Sequence, residues 1–198
     1  MTPLVLASKS AARAAMLKAA GLDVRLAPAD IDERALDAAW AAEGHSPAEI
    51  ARLLAEAKAC AVSRTHPGAV VIGADQTLAL GARRFSKAGS PGEARANLAA
   101  LRGKTHQLHS GVALARDGGT LFADVATADM TMRDFSDAFL DGYLARTGDR
   151  ILGSVGCYQF ESEGIQLFER IEGDYFTILG MPLLPLLAAL RREGLIPS

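Results

Sequence analysis

The chain has 198 residues, of which 49% are hydrophobic and 22% charged. That is enough to bury a core within one domain, and it is ordinary for a globular protein. A net charge of -2 gives no polybasic case for a nucleic-acid polymer or an anionic membrane as partner. Cys60 and Cys157 lie far apart without CxxC or histidine spacing, which predicts reduced thiols in a cytoplasmic protein rather than disulfides or a zinc site. No stretch has the length of a membrane span, and no basic segment precedes a long apolar core as in a secretory leader.

Residues 4–7 read as a buried strand and 11–20 as a helix stopped by Gly21. A second strand is expected over 23–29. Ser46-Pro47-Ala48-Glu49 has the form of a capping box with proline at the first helical position. The helix it opens, 47–63, places Ile50, Leu53, Leu54 and Ala57 on one face. The apolar run 70–80 predicts a central strand, and 91–101 a helix. Residues 107–115 and 121–132 predict two strands joined by Asp117-Gly118-Gly119. A helix is expected over 135–146, strand over 157–171 and a closing helix over 182–192. No repeat or linker cuts the chain. The pattern is α/β, of the mixed α+β-like kind, with a mixed sheet.

The stretch Ser8-Lys9-Ser10-Ala11-Ala12-Arg13 stands where the first strand hands over to the first helix. Free backbone N–H groups and the helix dipole favour phosphate there. The two hydroxyls, Lys9 and Arg13 add donors and charge; the alternative is an ordinary capped helix with a solvated arginine. Other phosphate signatures fail. Gly103-Lys104-Thr105 ends like a P-loop, but the required first glycine is Leu98, and no GxGxxG follows the first strand. Gly153-Ser154-Val155-Gly156 does not have nucleophile-elbow spacing.

Asp75 falls within the apolar run 70–80. A carboxylate there must be paired, hydrogen-bonded or on a metal, or else lie at a strand end, facing a crevice or capping a turn. Lys58 by itself reads as a solvated cation, and Asp32-Glu33 as loop surface or metal ligands. The four histidines lack zinc spacing.

Together these residues resemble the Maf family of nucleotide pyrophosphatases, from Leu6 to about Arg192. The family's Ser-x-Ser-Pro-Arg-Arg loop stands here as Ser8 to Arg13, its Asp-Glu as Asp32-Glu33, and its Ala-x-x-Lys-Ala as Ala55 to Ala59. Its Gly-Ala-Asp-Gln is Gly73 to Gln76 and its later lysine is Lys87. Its Gly-x-x-His is Gly103 to His106 and its Thr-Gly is Ser110-Gly111. The segment GIQLFERIEGDYFTILGMPLLPLLAAL matches its C-terminal pattern. Ala11, Ala12 and Ala88 replace a family proline, arginine and proline.

The resemblance implies one Maf-like domain over 1–198, with an elongated mixed sheet and two lobes around a cleft, similar in fold to inosine triphosphate pyrophosphatases. It implies hydrolysis of a nucleoside triphosphate between the α and β phosphates, with magnesium or manganese. Ser8, Ser10, Arg13, Lys58 and Lys87 would hold phosphates, Asp75 would accept a proton or bind metal, and Glu33 is a second metal ligand. Three positions track base preference in the family: Ala12, Gln76 and Glu161 all fall on the 7-methyl-GTP side. A preference for dTTP or UTP, or a nucleotide-binding regulator of septum formation with little catalysis, are the alternatives. Dimers are common in similar folds, so a homodimer is compatible.

Overall fold

The computed structural model describes residues 2–197. Strand β1 (Leu4–Leu6) leads into α1 (Ala11–Ala19), β2 (Arg25–Leu26), α2 (Glu33–Ala42), α3 (Pro47–Ser63) and β3 (Val70–Leu80). Then come β4 (Arg83–Phe85), α4 (Pro91–Leu101), β5 (Thr105–Arg116), β6 (Gly119–Met132) and α5 (Asp137–Thr147). After two short 3-10 helices, Gly148–Gly153 and Glu163–Leu167, the chain finishes with β7 (Phe168–Glu172), α6 (Tyr175–Ile178) and α7 (Leu183–Arg192). The sheet has the order β2-β1-β3-β5-β6-β7, with β4 also paired to β3. β1 is parallel to both β2 and β3; β4 and β7 are antiparallel to β3 and β6. The mixed α/β architecture is therefore as the pattern requires. No helix among the described residues is long and apolar enough to cross a membrane.

The chain divides into two compact units. The first comprises the chain up to Gln76, His109–Ala126, and everything from Tyr175. Here the period of two along the strands sorts side chains to opposite faces. Leu6, Val70, Ile72, Ala74, Val112 and Leu114 pack with α1 and α7 on one face. Val5, Val71, Ala113 and Ala115 pack with Ala55, Ala59 and Val62 of α3 on the other. The buried stripe of α3 runs through Ile50, Ala51, Leu54, Ala55, Lys58, Ala59 and Val62. It is rotated from the expected face: Leu53 and Ala57 are only half-buried. Two glycines cause this. A Cβ at Gly73 would lie 2.0 Å from the Ala55 carbonyl oxygen, and one at Gly111 2.2 Å from that of Ala51. The sheet surface is flat at those points, so the alanine side of α3 lies directly against it.

The second unit comprises Thr77–Leu108 and Thr127–Asp174. α4 buries Ala94, Asn97, Leu98 and Leu101, and α5 buries Leu140 and Tyr143. His106 and Tyr158 are both buried and hydrogen-bonded, Nε2 to phenol, at 2.8 Å. Phe168 meets the Tyr158 ring edge-on at 4.9 Å. Burial holds the His106 imidazole down to about 4 and pushes the Tyr158 phenol up. Tyr158 is thus a core residue, not a surface on which a base can stack.

Three expectations need correction. Of 157–171 only Phe168 onward is strand; Cys157 takes a positive φ of 56°, and a 3-10 helix follows. The second strand has two residues, Arg25 and Leu26. The segment with Asp32-Glu33 is not a loop: Asp32 caps α2 by accepting from the Ala35 N–H at 3.0 Å, and Glu33 is its first residue. Both cysteines are free, as expected.

Candidate active site

Most of the singled-out residues meet inside the first unit. β1 ends at Leu6, whose partner on β3 is Ile72, so β3 continues past β1 and carries Asp75 beside the Ser8–Arg13 loop. The loop is tied by its own hydroxyls. The Ser10 N–H donates to Ser8 Oγ at 3.1 Å, and Ser10 caps α1 by accepting from the Arg13 N–H at 3.3 Å. This is the N-cap arrangement that favours serine.

Arg13 folds back from α1 onto the middle of β3, at Ala74. Its Nε donates to the Gly180 carbonyl at 2.9 Å, and its Nη1 to the Ala74 carbonyl at 2.8 Å and Ser8 Oγ at 3.4 Å. Nη2 has no hydrogen-bond partner among the described residues, so two of its five N–H groups stay available. Burial lowers the guanidinium below its ordinary value, while Asp75 and Glu33 raise it again. It keeps its charge, because even a depressed guanidinium remains protonated near neutral pH.

Lys58 is not solvated. It is buried on the sheet side of α3, and its Nζ lies 2.5 Å from Asp75 Oδ1 and 2.8 Å from Glu33 Oε2. The close approach that Gly73 permits brings this turn of α3 to Asp75, one helical turn beyond Ala55. Asp75 is therefore paired, as its burial demands. Side-chain exposure is 8% for Lys58, 13% for Asp75 and 50% for Glu33. The cluster thus opens toward solvent on the Glu33 side.

Gln76 follows on β3. Its Nε2 donates to Ser110 Oγ and to the carbonyls of Thr177 and Ile178, at 2.9, 3.2 and 3.1 Å. Ala12 is half-buried on α1. Lys87 and Glu161 belong to the second unit, where both are exposed. Among the described residues no group of three or more His, Cys, Asp or Glu side chains is arranged to hold a metal. Asp75 and Glu33 are two hard oxygen donors on one cluster, a donor type that fits a hard divalent cation. Sequence reasoning missed Ser110 as part of this network and the Gly180 carbonyl as the anchor of Arg13. The two carbonyl partners of Arg13 are 61 and 167 residues away, so no local signal announces them.

The loop from the end of β1 into α1 places the site in the class of α/β strand–loop–helix arrangements, whose helix N-terminus favours an anion. Within that class, the family described as Maf-like protein matches residues 3–193, and the chain belongs to it. It is 58% identical over 193 residues to a protein named 7-methyl-GTP pyrophosphatase from Brucella abortus, covering 98% of this chain and 97% of that one. It is 56% identical over 195 residues to a nucleoside triphosphate pyrophosphatase from Bradyrhizobium diazoefficiens, covering 98% and 96%. Among solved structures, a HAM1 protein from Coxiella burnetii aligns over 68% of this chain and 75% of its own, at 17% identity and a TM-score of 0.45.

Proposed function

We propose that this chain, working as a single Maf-like domain, is a nucleoside triphosphate pyrophosphatase that clears 7-methyl-GTP or related modified nucleotides. The observation that carries the reading is the convergence of Arg13, Lys58, Asp75 and Glu33 on the stretch of β3 just past the end of β1. Relatives at 58% and 56% identity carry pyrophosphatase names, which supports the same reaction here.

Ser8, Ser10 and the free Nη2 of Arg13 bind phosphate oxygens at the start of α1. Lys58 holds Asp75 by one oxygen, leaving the other to receive a proton. Water attacks phosphorus of the α–β anhydride, its proton passes to Asp75, and the bond to the departing diphosphate breaks. Fixed charge and orientation supply most of the acceleration in such chemistry. The formal charges of Arg13 and Lys58 are balanced by those of Asp75 and Glu33, so the cluster has no positive surplus to set against a polyphosphate. A divalent cation, magnesium or manganese, held by Asp75 and Glu33 would supply that charge neutralisation. Ala12, Gln76 and Glu161 carry the side chains associated with 7-methyl-GTP, and the substrate is assigned from them. A carboxylate such as Glu161 offsets the positive charge of a 7-methylated guanine and accepts from its N–H groups.

The test is Asp75→Asn. The variant should keep its circular dichroism spectrum and release no diphosphate from 7-methyl-GTP. Near-normal release would remove Asp75 from the mechanism.

A further inference from the structure

The backbone that anchors Arg13 is itself held by two side chains outside the charged cluster. α6 ends in a glycine-terminated cap: the Gly180 N–H donates to the Thr177 carbonyl at 3.0 Å and the Met181 N–H to that of Phe176 at 3.0 Å. Gly180 has a φ of +96°, as this cap requires at its left-handed position. The last carbonyls of such a short helix have few helical partners. Those of Thr177 and Ile178 receive Gln76 Nε2, and Thr177 also receives the Ser110 hydroxyl at 2.7 Å. Ser110 is fully buried and accepts from Gln76 in return. All acceptors around this end of Gln76 are oxygens, two of them carbonyls, so its amide can present only nitrogen to them. Two residues on, the Gly180 carbonyl accepts Arg13 Nε. A Cβ at Gly180 would sit 3.3 Å from Arg13 Nη2 and 3.7 Å from Gln76 Cδ, so the turn is wedged between the two side chains.

We propose that Gln76 and Ser110 are positioning residues that aim Arg13 by fixing the 177–180 turn. The role of the aimed guanidinium as a phosphate ligand rests on the pyrophosphatase reading; the aiming does not. Gln76 acts here through the turn, because its amide nitrogen is committed to Ser110 and the two carbonyls.

Two measurements test this. The first is hydrogen exchange of the Arg13 Nε–H, followed by NMR in the wild type, Gln76→Leu and Ser110→Ala. Losing hydrogen bonds that fix the turn should speed exchange by about fivefold or more; an unchanged rate in both variants overturns the proposal. Ser110→Ala alone decides it if Gln76→Leu fails to fold. The second is a double-mutant cycle with Arg13→Ala on kcat/KM for diphosphate release. Gln76→Leu should cost about tenfold in the wild-type background and less than about twofold once Arg13 is gone. Losses that simply add would also overturn it. If the wild type releases no diphosphate from any triphosphate, the pyrophosphatase reading fails, while the exchange rates still decide whether Gln76 and Ser110 position Arg13.

Discussion

Lys58→Met removes the charge that Asp75 and Glu33 share and keeps most of the side chain's apolar stem. With side-chain exposures of 8% and 13%, the Lys58–Asp75 pair is buried. Glu33, half exposed, adds at most about 1 kcal/mol, as surface pairs do. Removing one member of a buried pair leaves the other uncompensated and costs about 3–5 kcal/mol. That is a large share of a typical folding free energy of about 5–15 kcal/mol. With a urea dependence of about 2 kcal/mol/M, the unfolding midpoint should fall by about 1.5–2.5 M. The double variant Lys58→Met/Asp75→Leu should recover most of that loss, because a packed apolar pair avoids the stranded charge. Urea titrations at pH 7 of the three proteins measure both effects. A loss below about 1 kcal/mol for Lys58→Met would place the pair among solvated surface contacts and refute the reasoning.

Gly73→Ala should be severely destabilising, because the added methyl would lie 2.0 Å from the Ala55 carbonyl oxygen and 2.9 Å from Ala59 Cβ. Overpacking costs about 1–3 kcal/mol or more, and the displaced α3 should also lower diphosphate release, since it carries Lys58; a melting temperature equal to the wild type would contradict the close packing. His106 links stability to pH. Folding holds its imidazole down to about 4 from an ordinary 6.5, so the unfolded chain takes up a proton that the folded chain refuses. Stability from this group is complete above about pH 6.5 and is lost as pH falls toward 4, by about 3 kcal/mol in all. Urea midpoints of the wild type and His106→Phe between pH 7 and 4 should converge as pH falls; parallel curves would exclude His106 as the source.

The elements legible in the sequence are those fixed by local chemistry. Ser46 and Glu49 form the capping box that opens α3, and Ser10 caps α1 within the stretch that suggested it. Asp117 and Gly118 adopt positive φ between β5 and β6, as a tight hairpin turn needs. The misread region, 157–171, has the apolar aromatic content of a strand, but Tyr158 is spent on His106 and the cluster with Phe168 rather than on a ladder. Cys157 at positive φ and Gly164, whose Cβ would lie 2.4 Å from the Gln159 carbonyl oxygen, fold it into turns. α2 escaped notice because it buries no residue, so it leaves no strong core stripe. In the site, the burial of Asp75 predicts a partner but does not name it. Lys58 becomes that partner through the tertiary contact at Gly73, which sequence spacing does not express.

Diphosphate release in the presence of magnesium from 7-methyl-GTP, GTP, dTTP, UTP, CTP and ATP tests the central claim most directly. The account predicts fast release from 7-methyl-GTP and slow release from dTTP and UTP. Preference for dTTP or UTP would contradict the substrate assignment at Ala12, Gln76 and Glu161 and leave the chemistry standing. No release from any of the six would contradict the enzyme itself and favour a nucleotide-binding regulator.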